Sequence, residues 1–253
     1  RCRSRIVARG SSLKVLGSEA ETQRFGRHME GLVAYYLKYG HISSEVIGQA
    51  FAGGIAGQEA PADKDVIVYG NNGNIIRART VNQQKLVKLY DKNDLLFAVG
   101  PAGSGKTYTA IALAVRALKE KEVRRIILTR PAVEAGEKLG FLPGDMKEKL
   151  DPYLQPLYDA LNDMIPPAKL AKYLEEGTVQ IAPLAYMRGR TLDNAFVILD
   201  EAQNTTLSQI KMFLTRMGRN ARFIVTGDVT QIDLPKKSDS GLTRSMEILR
   251  GVG

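Results

Sequence analysis

Gly100-Pro101-Ala102-Gly103-Ser104-Gly105-Lys106-Thr107 carries the densest chemical signal in the chain. It fits the spacing G-x-x-x-x-G-K-[ST], with an apolar run before it and an amphipathic stretch after it. Glycines let the backbone turn so that successive N–H groups converge on phosphate oxygens. A helix opening at Lys106 adds the positive end of its dipole. The pattern predicts that Gly100, Pro101, Ala102, Gly103, Ser104, Gly105, Lys106, Thr107 and the adjoining Tyr108 hold a nucleotide. Lys106 is expected at the β- and γ-phosphates, and the Thr107 hydroxyl on Mg²⁺. The bland alternative is a glycine-rich turn with no ligand.

Such a loop needs a carboxylate at the end of a buried strand. Phe196-Val197-Ile198-Leu199-Asp200-Glu201 supplies one. Asp200 is expected to bind Mg²⁺ through water, and Glu201 to polarise an attacking water. Alone, the acidic pair also reads as a helix cap; joined to the loop, it favours nucleotide hydrolysis over mere binding. A third element, Thr226-Gly227-Asp228-Val229-Thr230-Gln231, follows another apolar run. Gln231 is the candidate sensor of the γ-phosphate, with Asp228 in support. A turn stabilised by Asp228 is the alternative.

These residues need strands to carry them. Short apolar runs at Leu95–Val99, Arg125–Thr129, Val179–Ala182, Phe196–Leu199 and Phe223–Thr226 are what a parallel sheet buried on both faces requires. Helical segments at Lys106–Lys119, Leu154–Met164, Lys169–Glu175 and Ser208–Met217 separate them, and a last helix covers Gly241–Leu249. The alternation predicts a doubly wound α/β domain over 81–253. Leu150–Met164, with Pro152 and Pro156, reads as a lid or a packing insertion.

The first 80 residues read as a small α+β module. Ile6–Arg9 and Leu13–Leu16 form a hairpin. Ser18 and Glu21 have the spacing of a capping box. The helix that follows carries Phe25, Met29, Leu32, Val33 and Tyr36 on one stripe and closes at Gly40. Ser43 or Ser44 opens a short second helix. Gly53, Gly54, Gly57 and Pro61 form a linker, and Val66–Tyr69 with Ile75–Ala78 a second hairpin. Tyr35, Tyr36 and Tyr39 read as core, or as a stacking platform for bases. His28, on a polar or boundary face, and His41 lack partners at ligand spacing.

Composition sets the outer bounds. The 253 residues hold 36 Lys and Arg against 27 Asp and Glu, a net charge of +9. Residues 1–40 hold +5 of it, so a polyanionic partner, nucleic acid before membrane, is favoured over charge for solubility alone. Cys2 is the sole cysteine, which excludes an internal disulfide and a cysteine zinc site. With no apolar run of membrane length and no signal peptide, a cytoplasmic location is expected. The chain opens on Arg1, so the start is expected upstream.

Together with Leu128-Thr129-Arg130-Pro131-Ala132-Val133-Glu134-Ala135-Gly136-Glu137, Leu139-Gly140-Phe141-Leu142-Pro143-Gly144-Asp145 and Ala182-Pro183-Leu184-Ala185-Tyr186-Met187-Arg188-Gly189-Arg190-Thr191, these motifs resemble the PhoH-like family of bacterial ATPases. The resemblance covers about Thr80 to Gly241. It implies a RecA-like P-loop NTPase core similar to superfamily 1 helicases. It also implies a role in RNA metabolism, near ribosomal RNA maturation with a partner endoribonuclease. In this frame Gln83 would read the adenine edge; the alternative is an exposed glutamine at a helix start. Arg130 would touch the nucleic acid backbone, and Arg188 and Arg190 would contact phosphate or RNA, the alternative being a solvated basic loop. A single core lacks the arginine that a second domain donates, so a homo-oligomer is expected, a hexameric ring with Arg216 or Arg219 acting in trans. A further basic segment is expected past Gly253.

Two other functions compete. A nucleotide-dependent adaptor would recruit a nuclease or ribosomal component without moving a strand. A small-molecule kinase is disfavoured, because Glu201 and Gln231 suit water better than an acceptor hydroxyl.

Overall fold

A computed structural model describes residues 5–9, 12–39, 42, 44–51, 65–71, 74–131 and 146–251. The chain divides into two compact units, Arg1–Lys64 and Asp65–Gly253. The linker glycines, His41 and residues 132–145 lie outside the described residues.

In the first unit, strand β1 (Arg5–Arg9) pairs antiparallel with β2 (Ser12–Leu16), Ile6 opposite Val15. Helix α1 (Glu19–Tyr39) starts where Glu21 reaches back to the backbone N–H and hydroxyl of Ser18, both at 3.0 Å. That is the returning half of a capping box. Helix α2 (Ser44–Phe51) follows, and its Phe51 ring selects the face of α1 that is buried. The Phe25 ring lies 5.6 Å from Phe51 and the His28 ring 5.3 Å. Phe25, His28 and Leu32 are buried, whereas Val33 and Tyr36 are about half exposed, at 51% and 52%. The expected stripe is therefore rotated by about one residue. His28 sits in the core rather than on a polar face, and Tyr36 is not core.

The second unit is built on five parallel strands: β5 (Leu95–Val99), β6 (Arg125–Arg130), β7 (Val179–Pro183), β8 (Ala195–Leu199) and β9 (Arg222–Gly227). Their order is β5-β9-β8-β6-β7. One strand, β9, thus lies between the strand of the glycine loop and the strand of the acidic pair. Every residue of β8 is buried, which is why it reads as an unbroken apolar run. Alternate side chains serve opposite faces. Ile126, Leu128, Phe196 and Ile198 pack with helices α4 (Lys106–Lys119) and α5 (Met146–Met164). Ile127, Val197, Leu199 and Phe223 pack with α7 (Leu207–Leu214) and α8 (Gly241–Ile248). Helices α3 (Val81–Tyr90) and α6 (Pro167–Glu175) complete the unit. This is the doubly wound sheet of a P-loop NTPase.

One open alternative is resolved here and one expectation changes. Leu154, Leu157, Leu161 and Met164 of α5 are buried in the first face's core, so this helix is packing and not a lid. The second hairpin, β3 (Val66–Tyr69) with β4 (Ile75–Arg77), belongs to the second unit and not to the front module. Ile67, Val68 and Ile76 join the core against α4. Lys119 of α4 donates to the Tyr69 carbonyl at 2.5 Å. The unit boundary therefore falls at residue 64 rather than 80.

Candidate nucleotide site

Parallel pairing brings four strand ends to one edge. Val99 is in register with Gly227, Leu199 with Val225, and Thr129 with Leu199. The residues just past these ends converge, as expected at the carboxyl edge of an open α/β sheet.

The glycine loop leaves β5 and enters α4 through two left-handed residues, Gly103 (φ 74°) and Gly105 (φ 76°). Gly105 is the N-cap of α4, and a Cβ there would lie 2.6 Å from Gln83 Nε2. The dihedral favours glycine, and any Cβ there would push the Gln83 carboxamide aside. The Gly100 N–H donates to the Gly227 carbonyl at 3.1 Å, tying the loop to β9. Lys106 Nζ folds back onto the Pro101 carbonyl at 2.8 Å, and Ser104 Oγ donates to the same oxygen, also at 2.8 Å. The ammonium thus lies across the mouth of its own loop, held by an acceptor that a phosphate would outcompete.

Asp200 is 2% exposed and saturated with donors. Its Oδ1 accepts from Thr107 Oγ1 and from Thr226 Oγ1, each at 2.6 Å. Its Oδ2 accepts from Arg130 Nε at 2.7 Å and Nη2 at 2.5 Å. Arg130 was expected on nucleic acid. Its guanidinium turns inward instead, because a carboxylate buried beside it demands a counter-charge.

The Thr107 and Asp200 oxygens meet in the way that a small hard cation needs, and the donor set fits Mg²⁺. Among the described residues no group of three or more His, Cys, Asp or Glu could hold a metal. The remaining ligands would have to be water and phosphate, the usual arrangement for Mg²⁺ at a nucleotide.

Glu201 is half-buried in the left-handed region (φ 54°, ψ 37°), which turns its side chain off the strand direction. Its Oε2 accepts from Gln203 Nε2 at 2.6 Å. Gln203 is fully buried, and its Oε1 accepts from the Asp228 N–H at 2.9 Å. One carboxamide thus connects the candidate base to the third motif. Gly227 leaves room for it: a Cβ there would lie 3.0 Å from Gln203 Oε1 and 2.5 Å from Leu242. In the sequence Gln203 ends the run Asp200-Glu201-Ala202-Gln203 and has no role assigned to it. No local signal marks a partner 25 residues away.

Asp228 Oδ1 accepts from the Thr230 hydroxyl at 2.6 Å and the Thr230 N–H at 2.9 Å. These two bonds hold its carboxyl below the usual range, and the Ala102 N–H and the Lys106 charge act the same way. Asp228 therefore faces the glycine loop. Gln231 closes the same turn through its backbone, donating to the Asp228 carbonyl at 3.0 Å, and is exposed.

Gln83 departs from its expected use. Its Oε1 accepts the N–H groups of Arg79 (2.7 Å) and Thr80 (3.3 Å), completing a capping box with Thr80. Its Nε2 donates to the Ser104 carbonyl at 3.0 Å. With both lone pairs of Oε1 engaged, the paired reading of adenine N6 and N7 is blocked; the carboxamide braces the loop against α3. Tyr108 donates to Asp163 at 3.2 Å, and burial, then that carboxylate, raises its pKa.

The remaining arginines lie away from the loop. Arg188 is exposed after β7, while Arg190 donates to Gln180 at 2.7 Å. Arg216 and Arg219 adjoin the amino-terminal start of β8: the Leu192 N–H bonds the Arg216 carbonyl, and the Asn194 N–H the Arg219 carbonyl. Arg216 also spends its guanidinium on the Met212 and Arg190 carbonyls. Arg219 is exposed.

Comparison with known proteins agrees with this architecture. The family described as PhoH-like protein matches residues 75–253. A PhoH-like protein of Mycobacterium tuberculosis (strain ATCC 25618 / H37Rv) is 49% identical over 249 residues, covering 98% of this chain and 71% of that one. A PhoH-like protein of Bacillus subtilis (strain 168) is 49% identical over 251 residues, 98% of this chain and 78% of that one. Protein PhoH of Escherichia coli (strain K12) is 52% identical over 174 residues, 68% of this chain and 49% of that one. Among solved structures, a Sulfolobus solfataricus SWI2/SNF2 ATPase core in complex with dsDNA covers 68% of this chain and 40% of that one, at 17% identity and a TM-score of 0.41. That likeness is too loose to carry an argument.

Proposed function

The chain belongs to the PhoH-like protein family, and from that premise we propose that it hydrolyses ATP with Mg²⁺ and couples the cycle to RNA. The observation that carries the proposal is the meeting of Thr107, Asp200 and the Gln203-braced Glu201 at the mouth of one glycine loop. Thr107 would hold Mg²⁺ directly and Asp200 through water, and the ion would supply positive charge against the phosphates. Lys106 would exchange the Pro101 carbonyl for the β- and γ-phosphates. The N–H groups of the loop and of the first turn of α4 would cradle the rest. Glu201 would accept a proton from the attacking water, its carboxylate fixed by Gln203. Gln231, one turn beyond Asp228, would contact the γ-phosphate.

RNA is the proposed polyanion, with Arg188 as the contact in this unit. A ring of copies is proposed for the missing arginine. Arg219 is the better trans candidate, because Arg216 is committed to carbonyls and both lie at the opposite end of the sheet from their own loop. A partner endoribonuclease and a cytoplasmic location belong to the same reading. Among the described residues no helix is long and apolar enough to cross a membrane.

The test is ATP turnover of wild type and Glu201→Gln, with and without single-stranded RNA. RNA-stimulated turnover that the variant loses supports the proposal. Turnover indifferent to RNA, yet lost in the variant, shifts the reading to a nucleotide-dependent adaptor. No turnover and no binding of ATP would end it. Native mass of the active species tests the ring; a fully active monomer would exclude it.

A further inference from the structure

Resting on the nucleotide site proposed above, we infer that Arg130 is the built-in counter-cation of Asp200, exchanged for Mg²⁺ when the metal arrives with nucleotide. Asp200 is 2% exposed, and Arg130 brings two N–H groups to a single oxygen, Oδ2, while Oδ1 is left to the hydroxyls of Thr107 and Thr226. The carboxylate is thus divided by function. One oxygen faces the metal side, where Thr107 sits; the other is neutralised from β6.

A buried carboxylate without a counter-charge is costly, so the pair keeps the metal-free site folded. The guanidinium cannot escape by losing its proton. A divalent cation on the Oδ1 side therefore meets a fixed positive charge across one carboxyl group, and the two cations weaken each other's hold. Metal binding and the Arg130 pair are then antagonistic. Arg130 is the last residue of β6, so the guanidinium loosened by the metal lies at the tip of the strand, on the same edge as the glycine loop.

The coupling is measurable without hydrolysis. ADP binding is followed by titration calorimetry on the full chain, in EDTA and in excess Mg²⁺, for wild type, Arg130→Gln and Arg130→Lys. Arg130→Gln is expected to lose at least about fivefold in ADP affinity in EDTA, where phosphate meets an unneutralised Asp200, and to stay within about twofold of wild type in Mg²⁺. Arg130→Lys restores the charge and most of the EDTA affinity. Equal losses in EDTA and Mg²⁺ would place the guanidinium on the phosphate itself and overturn the inference, as would no loss in either.

If Arg130→Gln does not fold, Arg130→Gln combined with Asp200→Asn removes both charges, and its affinity in EDTA must equal or exceed that of wild type. A lower value overturns the inference. If wild type binds no ADP at all, the nucleotide reading fails, and thermal unfolding with Mg²⁺ alone decides the inference. A larger Mg²⁺-induced rise in Arg130→Gln than in wild type supports the exchange; equal rises overturn it.

Discussion

The Asp228 N–H donates to Gln203 Oε1 at 2.9 Å, and the Nε2 of the same Gln203 holds Glu201 at 2.6 Å. A fully buried carboxamide therefore sets the distance between the candidate base and the turn that bears Gln231. Its main-chain carbonyl accepts from Ser240 Oγ at 2.8 Å, so the start of α8 is tied to the same point.

Gln203→Ala is expected to leave the Asp228 N–H without a partner and to cost about 1–3 kcal/mol in chemical unfolding. It should lower turnover while leaving ADP affinity nearly unchanged, since no group that touches phosphate is removed. Turnover equal to wild type would show that Glu201 needs no brace.

Glu201→Gln keeps the shape of the site and can still meet Gln203. ATP binding should persist, and hydrolysis should fall by about 10²–10⁴-fold, the range of a positioned general base. Single-turnover measurement separates this from a slow product release.

Gly105→Ala should cost about 1–3 kcal/mol, because the residue is held at φ 76° and its Cβ would collide with Gln83 Nε2. Nucleotide affinity should fall with it. Gln83→Ala relieves the collision, so the double variant should regain part of the affinity, which calorimetry would register.

Gln83→Ala alone tests what the carboxamide does. Because its oxygen is spent on the Arg79 and Thr80 N–H groups, the variant should bind ADP and GDP with the same preference as wild type, and both more weakly. A preference that collapses would restore the adenine-reading role.

Asp228 has a depressed pKa, so the stability it contributes is present above the unfolded value of about 3.9 and is lost as pH falls through the folded value. Asp228→Asn should therefore differ from wild type at neutral pH and converge with it in acid. A difference independent of pH would deny the carboxylate its role.

The elements that position the site were legible in the chain because each is a local pattern. Val197, Ile198 and Leu199 are buried on both sides, so their strand needs no polar alternation, and the run stands out. Gly103 and Gly105 announce their own backbone geometry. What stayed hidden were contacts between distant residues. Arg130 and Asp200 are 70 positions apart, and a basic residue after a strand looks the same whether it faces a carboxylate or a phosphate. His28 was misplaced for a related reason: the face of α1 that is buried is chosen by Phe51, on another helix.

The β3–β4 hairpin closes part of the core against α4. Any proteolytic nick or engineered truncation that starts the chain at Val81 would strip Ile67, Val68 and Ile76 from α4 and open the core that they share with it. A break before Asp65 would leave that core closed.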